Sequence, residues 1–308
     1  MRSLFDLARQ DPRVCLVVGD LGYSVIEEFA DTYPDQFVNV GVAEQNMIGV
    51  ATGMALSGKI VFTYSIANFA TLRCLEQIRN DVCYHRANVK VVAVGGGVAY
   101  GSLGISHHAT EDLAIMRALP GMAVVAPADP VEASLATVAL ARRGGPAYLR
   151  LAKTGEAVFH TTSPDFCIGK ALLLHSGSEI TVIATGSMVA TAVDISERLG
   201  KRGVGVRLLS MHTISPIDVE AIEAAARETR YIVTLEEHSV VGGLGSAVAE
   251  VVSSLEGQRA PLKRLGLPPA FNSRAGDQAY LRSLHGLDPD GVLRSMDEVL
   301  DRVHGLVR

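Results

Sequence analysis

The run Val14-Cys15-Leu16-Val17-Val18 is apolar along its whole length, and Val89-Lys90-Val91-Val92-Ala93-Val94 is nearly so. A strand with one face in water alternates apolar and polar residues, so runs of this kind need cover on both faces. Longer stretches with helical spacing separate such runs. The combination predicts an α/β chain: a mostly parallel sheet with helices packed on both sides. Further strands are predicted at 60–63 and 122–126. Helices are predicted at 45–57, 69–84, 111–119 and 130–142. In 69–84, Phe69, Leu72, Leu75 and Ile78 recur at three-residue steps, with Cys74 and Val82 also near that face. The helix 130–142 carries its own start signal, with Asp129 as cap and Pro130 at the first helical position.

A second α/β unit follows, with strands at 180–184, 204–209 and 231–235 and helices at 189–199, 217–228 and 247–255. The connection between the units is turn-rich. The expected division is a first domain over 1–155, a linker over 156–177 and a second domain over 178–308. A chain of 308 residues suits two domains, and 48% hydrophobic content supports a large core rather than disorder.

Charge excludes some partners. Net charge is −5, both signs are interspersed and no basic block exists, which argues against nucleic acid and against an anionic membrane surface. The start, Met1-Arg2-Ser3-Leu4-Phe5-Asp6, meets an acid too early for a secretory signal. The longest apolar stretch, 89–105, is interrupted by Gly95-Gly96-Gly97 and is not a membrane span. Cys15, Cys74, Cys83 and Cys167 form no CxxC pair, so reduced thiols in a cytoplasmic protein are expected.

Glu44 stands out among residues with possible chemistry. It sits in Val40-Gly41-Val42-Ala43-Glu44-Gln45-Asn46-Met47, where an apolar run meets a helix of small residues. A carboxylate buried in such surroundings needs a partner or a proton, which marks it for proton chemistry; the plainer reading is a first-turn helix acid. A second candidate is the segment Tyr100-Gly101-Ser102-Leu103-Gly104-Ile105-Ser106-His107-His108, which follows a buried strand. Ligands in open parallel sheets bind at the carboxyl ends of strands, and a histidine there can donate hydrogen bonds or move protons. Adjacent histidines point in different directions, so only one of this pair is expected to face a shared site. The alternative is a surface loop capped by Ser106 or Thr110.

Two glycine runs remain. Neither Gly95-Gly96-Gly97 nor Gly242-Gly243-Leu244-Gly245 is a GxGxxG at the first strand of a domain. The second either presents amides to an anion or makes a tight packing turn, the latter being the simpler reading. Glu236-Glu237-His238 lacks a partner at metal-ligand spacing and reads as a solvated strand end. The chain has no GxSxG elbow, P-loop or HExxH.

The pieces Gly19-Asp20-Leu21-Gly22, Phe37-Val38-Asn39-Val40-Gly41-Val42-Ala43-Glu44-Gln45-Asn46, Phe69-Ala70-Thr71-Leu72-Arg73, Glu76-Gln77-Ile78-Arg79, Ser106-His107-His108, Met116-Arg117-Ala118-Leu119-Pro120 and Pro127-Ala128-Asp129 occur in a telling order. In that order and spacing the chain resembles the C-terminal half of transketolase, above all the separately encoded C-terminal subunits of split transketolases. It is also similar to 1-deoxyxylulose-5-phosphate synthase and, more distantly, to the beta subunits of 2-oxo acid dehydrogenases. The resemblance covers nearly the whole chain. It implies a pyrimidine-binding domain followed by a transketolase C-terminal domain, and thiamine diphosphate bound between two chains. The diphosphate and its Mg2+ or Ca2+ would be held mainly by a partner with a GDG motif, which is absent here.

The resemblance also implies roles. Glu44 would hydrogen-bond a ring nitrogen of the aminopyrimidine and so promote removal of the thiazolium proton. Phe69 would pack on that ring. Ile66 falls where many relatives have a second Phe, and Arg73 belongs to the same motif. Asp20 and Ser24 match positions near the thiazolium and the substrate mouth. His107 would face the reacting carbonyl. Lys153 falls where relatives often hold a sugar phosphate with Arg, keeping the charge without the bidentate fork. One departure matters. Leu103 takes the place of an Asp that contacts a donor hydroxyl in many relatives, and His108 replaces a common Gln.

The implied activity is transfer of a two-carbon ketol unit from a ketose to an aldehyde, in an α2β2 assembly of carbohydrate metabolism. The rivals are a decarboxylating acyloin-type synthase using a 2-oxo acid, which Leu103 favours, and a non-catalytic assembly subunit. The joint presence of Glu44, Phe69 and His107 speaks against the last.

Overall fold

The computed structural model describes residues 1–153 and 155–305. In chain order the first unit supplies β1 (Val14–Val18), β2 (Phe37–Asn39), β3 (Ile60–Ile66), β4 (Val89–Val94), β5 (Ala123–Val125) and β6 (Ala147–Leu151). The second supplies β7 (Leu172–His175), β8 (Ile180–Ala184), β9 (Val206–Ser210), β10 (Thr213–Ser215), β11 (Tyr231–Ser239) and β12 (Leu262–Leu267). They form a seven-stranded sheet ordered β10-β5-β6-β4-β3-β1-β2 and a five-stranded sheet ordered β12-β11-β8-β9-β7. Pairing is parallel except for β10 on β5 and β7 on β9. The α/β expectation therefore holds in both units, and its cause is visible: every residue of β1, β8 and β11 is buried.

β10 ties the units together. It comes from the second half of the chain but pairs with β5 in the first sheet, Thr213 opposite Val125. The stretch 156–177 is not wholly irregular either, since β7 lies inside it and edges the second sheet.

Lys90 is the polar exception in β4 and is fully buried. Its ammonium donates to the carbonyls of Arg143 and Gly145 at 2.7 and 2.6 Å, just past the end of the helix Pro130–Arg142. Lysine at a helix C-terminus meets unpaired carbonyls there, while burial pushes its pKa down to about 7. At the other end of that helix, Asp129 accepts from the Glu132 amide as expected of a cap.

Two expectations fail for clear reasons. The stretch 69–84 is not one helix: Ala67–Thr71 is helical, Leu75–Gln77 is a single turn and Ile78–Cys83 is a π-helical turn. Cys74 breaks the ladder at φ −104°, ψ 10°, and its thiol donates to the Phe69 carbonyl. The buried residues include Ala67, Ala70, Cys74, Ile78 and Val82; of the three-residue recurrence only Ile78 is fully in the core, while Phe69 and Leu75 are half-buried and Leu72 is exposed.

Glu236-Glu237-His238 is not a solvated strand end. All three are at most 1% exposed, because β11 runs four residues beyond the predicted end and enters the seam between the sheets. Glu236 accepts hydrogen bonds from the Leu244 and Gly245 amides, both at 2.7 Å. The acceptor at this helix N-terminus is thus the chain's own carboxyl group, and a Cβ at Gly243 would collide with its Oε2. The glycine run is the tight packing turn.

Candidate functional site

The carboxyl ends of β1, β2, β3 and β4 deliver the residues of interest to one end of the first sheet. β1 leads into Gly19 and Asp20, β2 into Gly41 and the helix Glu44–Leu56, β3 into Ile66 and Phe69, and β4 into the segment bearing His107.

Glu44 opens its helix and is 2% exposed. Its Oε2 accepts from Arg73 Nη1 at 2.8 Å. Oε1 has no hydrogen-bond partner among the described residues. Gly19 lies close behind, since a Cβ there would touch Glu44 Cγ at 3.5 Å. Met47 and Ile48, fully buried, anchor the first turn of this helix in the core. A carboxylate is thereby fixed at the carboxyl end of the sheet with one oxygen paired and one available.

From Glu44 a chain of contacts crosses the site. The Arg73 guanidinium carbon lies 4.8 Å from the Phe69 ring centre. Phe69 meets the His107 ring edge-on at 5.1 Å between centroids. His107 in turn meets Tyr100 at 6.1 Å. Lys153 Nζ lies 5.6 Å from the Tyr100 ring centre. His107 is held by Ser106 Oγ, 3.0 Å from Nδ1, while Asn68 Nδ2 donates to the Ser106 carbonyl at 2.7 Å. The structure thus brings together Glu44, Arg73, Phe69, His107 and Lys153.

The other expected residues sit differently. Asp20 has φ +55° and exchanges bonds with Asn39: its amide donates to Asn39 Oδ1 at 3.1 Å and its carboxylate accepts from Asn39 Nδ2 at 3.0 Å. Ser24, at φ +64°, is exposed and its amide donates to Glu27 Oε1. Ile66 is 8% exposed at the end of β3. Leu103 is 53% exposed. His108 turns away from His107 into the protein, 4% exposed, with Nε2 3.3 Å from the Gly101 carbonyl. It lines a separate cavity of about 410 Å³ with Asn68, Ile105, Glu111 and Phe271.

Sequence reasoning missed Tyr100 and Asn39. Tyr100 opens the histidine-bearing segment, but only the fold shows its ring between His107 and Lys153. Asn39 carries no local signal beyond its place in the Phe37–Asn46 run.

Burial keeps two neighbouring groups protonated. Burial, with the Glu44 carboxylate nearby, pushes the Cys74 thiol up to about 12, so it stays protonated and unreactive. Burial likewise raises the Tyr100 phenol. Glu44, Arg73, His107 and Lys153 set a carboxylate, a guanidinium, an imidazole and an ammonium around an aromatic face, an arrangement suited to holding a flat heteroaromatic ring and moving protons beside it. No helix among the described residues is long and apolar enough to cross a membrane.

The chain matches the transketolase pyrimidine-binding domain over residues 2–155 and the transketolase C-terminal domain over residues 169–292. It is 38% identical to an apulose-4-phosphate transketolase subunit of Phocaeicola vulgatus, over 97% of this chain and 96% of that protein. It is also 38% identical to the 6-deoxy-6-sulfo-D-fructose transketolase subunit of a Clostridium species, over 97% and 92%. Its fold superposes on a solved split-gene transketolase, an inactive β4 tetramer, with a TM-score of 0.87 and 36% identity, covering 96% of this chain and 95% of that one. The chain therefore belongs to the transketolase family, whose members depend on thiamine diphosphate, and it corresponds to the subunit that carries the pyrimidine-binding and C-terminal domains in split transketolases.

Proposed function

We propose that this chain is the C-terminal subunit of a two-component transketolase that moves a two-carbon ketol unit from a ketose to an aldehyde acceptor. The observation that carries the reading is the Glu44 carboxylate, buried at the carboxyl end of the sheet with Oε1 available and Phe69 and Arg73 beside it. These residues fit an aminopyrimidine. Glu44 would hold a ring nitrogen through Oε1, and Phe69 would cover the ring and exclude water. Thiamine diphosphate, when bound, supplies a nucleophilic carbon and a sink for the electrons of the broken C–C bond. His107 would donate to the carbonyl oxygen of the donor, and Lys153 would attract a terminal anionic group. Asp20 and Ser24 would border the mouth.

The site is open on one side. Val42, Leu72, Leu103 and Ile105 are exposed apolar side chains next to Glu44, Arg73 and His107 in sequence. A second chain covering them would bury that surface and bring the residues for the diphosphate and its Mg2+. We assign that place to a GDG-containing partner in an α2β2 assembly, acting in the cytoplasm. The inactive β4 tetramer formed by a similar subunit supports dependence on such a partner.

The test is ketol transfer by the purified chain, alone and mixed with its diphosphate-binding partner. Activity is expected only in the mixture, and transfer by the chain alone would remove the reading. A second reading is favoured by Leu103, whose half-exposed isobutyl group offers a donor no hydrogen bond. It replaces the ketose by a 2-oxo acid, and carbon dioxide release from a 2-oxo acid panel distinguishes the two.

A further inference from the structure

The loop that carries Tyr100, Leu103 and His107 is tied down by the second unit. Its neck is closed by two hydrogen bonds, Gly97 N to Ala109 O and Ala109 N to Gly97 O, each 2.8 Å. On the first leg, the Val98 amide donates to Glu237 Oε1 at 2.8 Å. On the second leg, the Ser239 amide donates to the Thr110 carbonyl at 2.9 Å. Arg150 links the two sides, with Nη2 donating at 3.0 Å both to Ala109 O and to Glu237 O. The end of β11 therefore grips both legs of the loop.

Glu237 is the charged group in this grip, and it is 1% exposed. Its carboxylate is fixed from behind by the helix Gln278–Leu284: Gln278 Nε2 donates to both oxygens at 3.0 Å, and Arg282 forms a short ion pair with Oε2. Oε1 is left facing the loop. The neck fits against it because residue 97 is glycine at φ +67°; a Cβ there would lie 2.5 Å from Oε1 and 2.6 Å from the Glu237 carbonyl oxygen. The same end of the chain supports the loop tip, since a Cβ at Gly101 would collide with the Gly276 carbonyl oxygen. Arg282 compensates the burial of this carboxylate, and a carboxylate makes a charge-assisted, directional bond to a backbone amide.

We propose that Glu237 is a positioning residue for the His107 loop, through which the C-terminal domain sets the geometry of the site in the first domain. The tether itself is independent of the substrate; its consequence for turnover rests on the ketol-transfer reading above.

Hydrogen–deuterium exchange of the full chain, read by mass spectrometry, tests the tether. Glu237→Asp keeps the charge opposite Arg282 but draws the carboxylate back from Val98. Gly97→Ala opens the same contact from the loop side and leaves the buried acid intact, so it carries the test if the first variant fails to fold. Each variant is expected to speed exchange across 97–109 by about tenfold or more, with β3 and β8 unchanged. In the assembled enzyme kcat falls by about tenfold, while affinity for thiamine diphosphate stays at the wild-type value because Glu44 and Phe69 lie on other elements. Unchanged loop exchange in both variants overturns the proposal. Equal acceleration across both sheets also overturns it, because Glu237 is then a general core group. A loosened loop in an assembly whose wild type transfers no ketol unit would remove the functional reading and leave the tether standing.

Discussion

Arg73 Nη1 lies 2.8 Å from Glu44 Oε2, and the two partners are unequally buried, with side chains 49% and 2% exposed. The pair is therefore asymmetric. Removing Arg73 strands a buried carboxylate, whereas removing the carboxylate leaves a guanidinium that water can solvate. Arg73→Ala is expected to destabilise the chain by about 1–3 kcal/mol. Glu44→Gln should stay within about 1 kcal/mol of wild type and still assemble, yet lose turnover. Denaturant unfolding of the three proteins, with ketol-transfer assays of the assembled complexes, checks both halves. Near-wild-type turnover in Glu44→Gln removes this carboxylate from the chemistry.

The α/β architecture was legible because doubly covered strands are written as continuous apolar runs, as in β1 and β8. What escaped was set by tertiary contact. β10 is three residues long and pairs with a strand nearly ninety positions earlier, Thr213 with Val125, which no local pattern announces. The break at Cys74 depends on a thiol finding the Phe69 carbonyl. In the candidate site, Glu44 and His107 stand out in the sequence by chemical type and place. Glu237 was not, because a charged triplet at a strand end looks solvated until the rest of the fold supplies Arg150, Gln278 and Arg282 to hold it.

Asp112 and Arg150 form an enclosed ion pair at the seam, Oδ2 to Nε 2.7 Å, with side chains 1% and 6% exposed. Tyr148 Oη donates to the same Asp112 oxygen at 2.6 Å. Breaking such a pair leaves an uncompensated buried charge, so Asp112→Asn and Arg150→Met are each expected to cost about 3–5 kcal/mol. The double variant Asp112→Asn, Arg150→Met should cost clearly less than the two single losses added together, because it removes both charges. Urea unfolding of the single and double variants measures the coupling; simple additivity would show that the pair does not act as a unit.

Glu236 gives the seam a pH dependence with a defined sign. Burial raises its pKa to about 7 from the ordinary 4.5, against the opposing pull of the Leu244 and Gly245 amides and of Arg150 and Arg264. His238 Nδ1, 3.7 Å from Oε2, is engaged with the Ser239 carbonyl at 2.7 Å. Between these two pKa values the folded chain holds a proton on Glu236 that the unfolded chain has released, so this group's contribution to stability falls as pH rises through that window and is flat above it. The difference in unfolding free energy between wild type and Glu236→Gln, followed from pH 5 to 8, should therefore shift against wild type by on the order of 3 kcal/mol and level off near neutrality. A constant difference would mean that Glu236 titrates alike in both states.

Leu103 is 53% exposed on the loop that carries His107, so changing it tests specificity with little effect on folding. A leucine offers a donor hydroxyl no partner, and a hydroxyl desolvated against it loses its hydrogen bonds to water. Leu103→Asp supplies an acceptor at the same place. It should move the ratio of kcat/KM between a polyhydroxylated ketose donor and its analogue lacking the contacted hydroxyl by about tenfold or more toward the ketose. Stability should change by no more than about 0.5 kcal/mol, because the side chain is already half in water. The measurement is a donor panel run on both assembled enzymes. An unchanged ratio would place donor recognition elsewhere, whereas a shift confined to 2-oxo acids would favour the decarboxylating reading over ketol transfer.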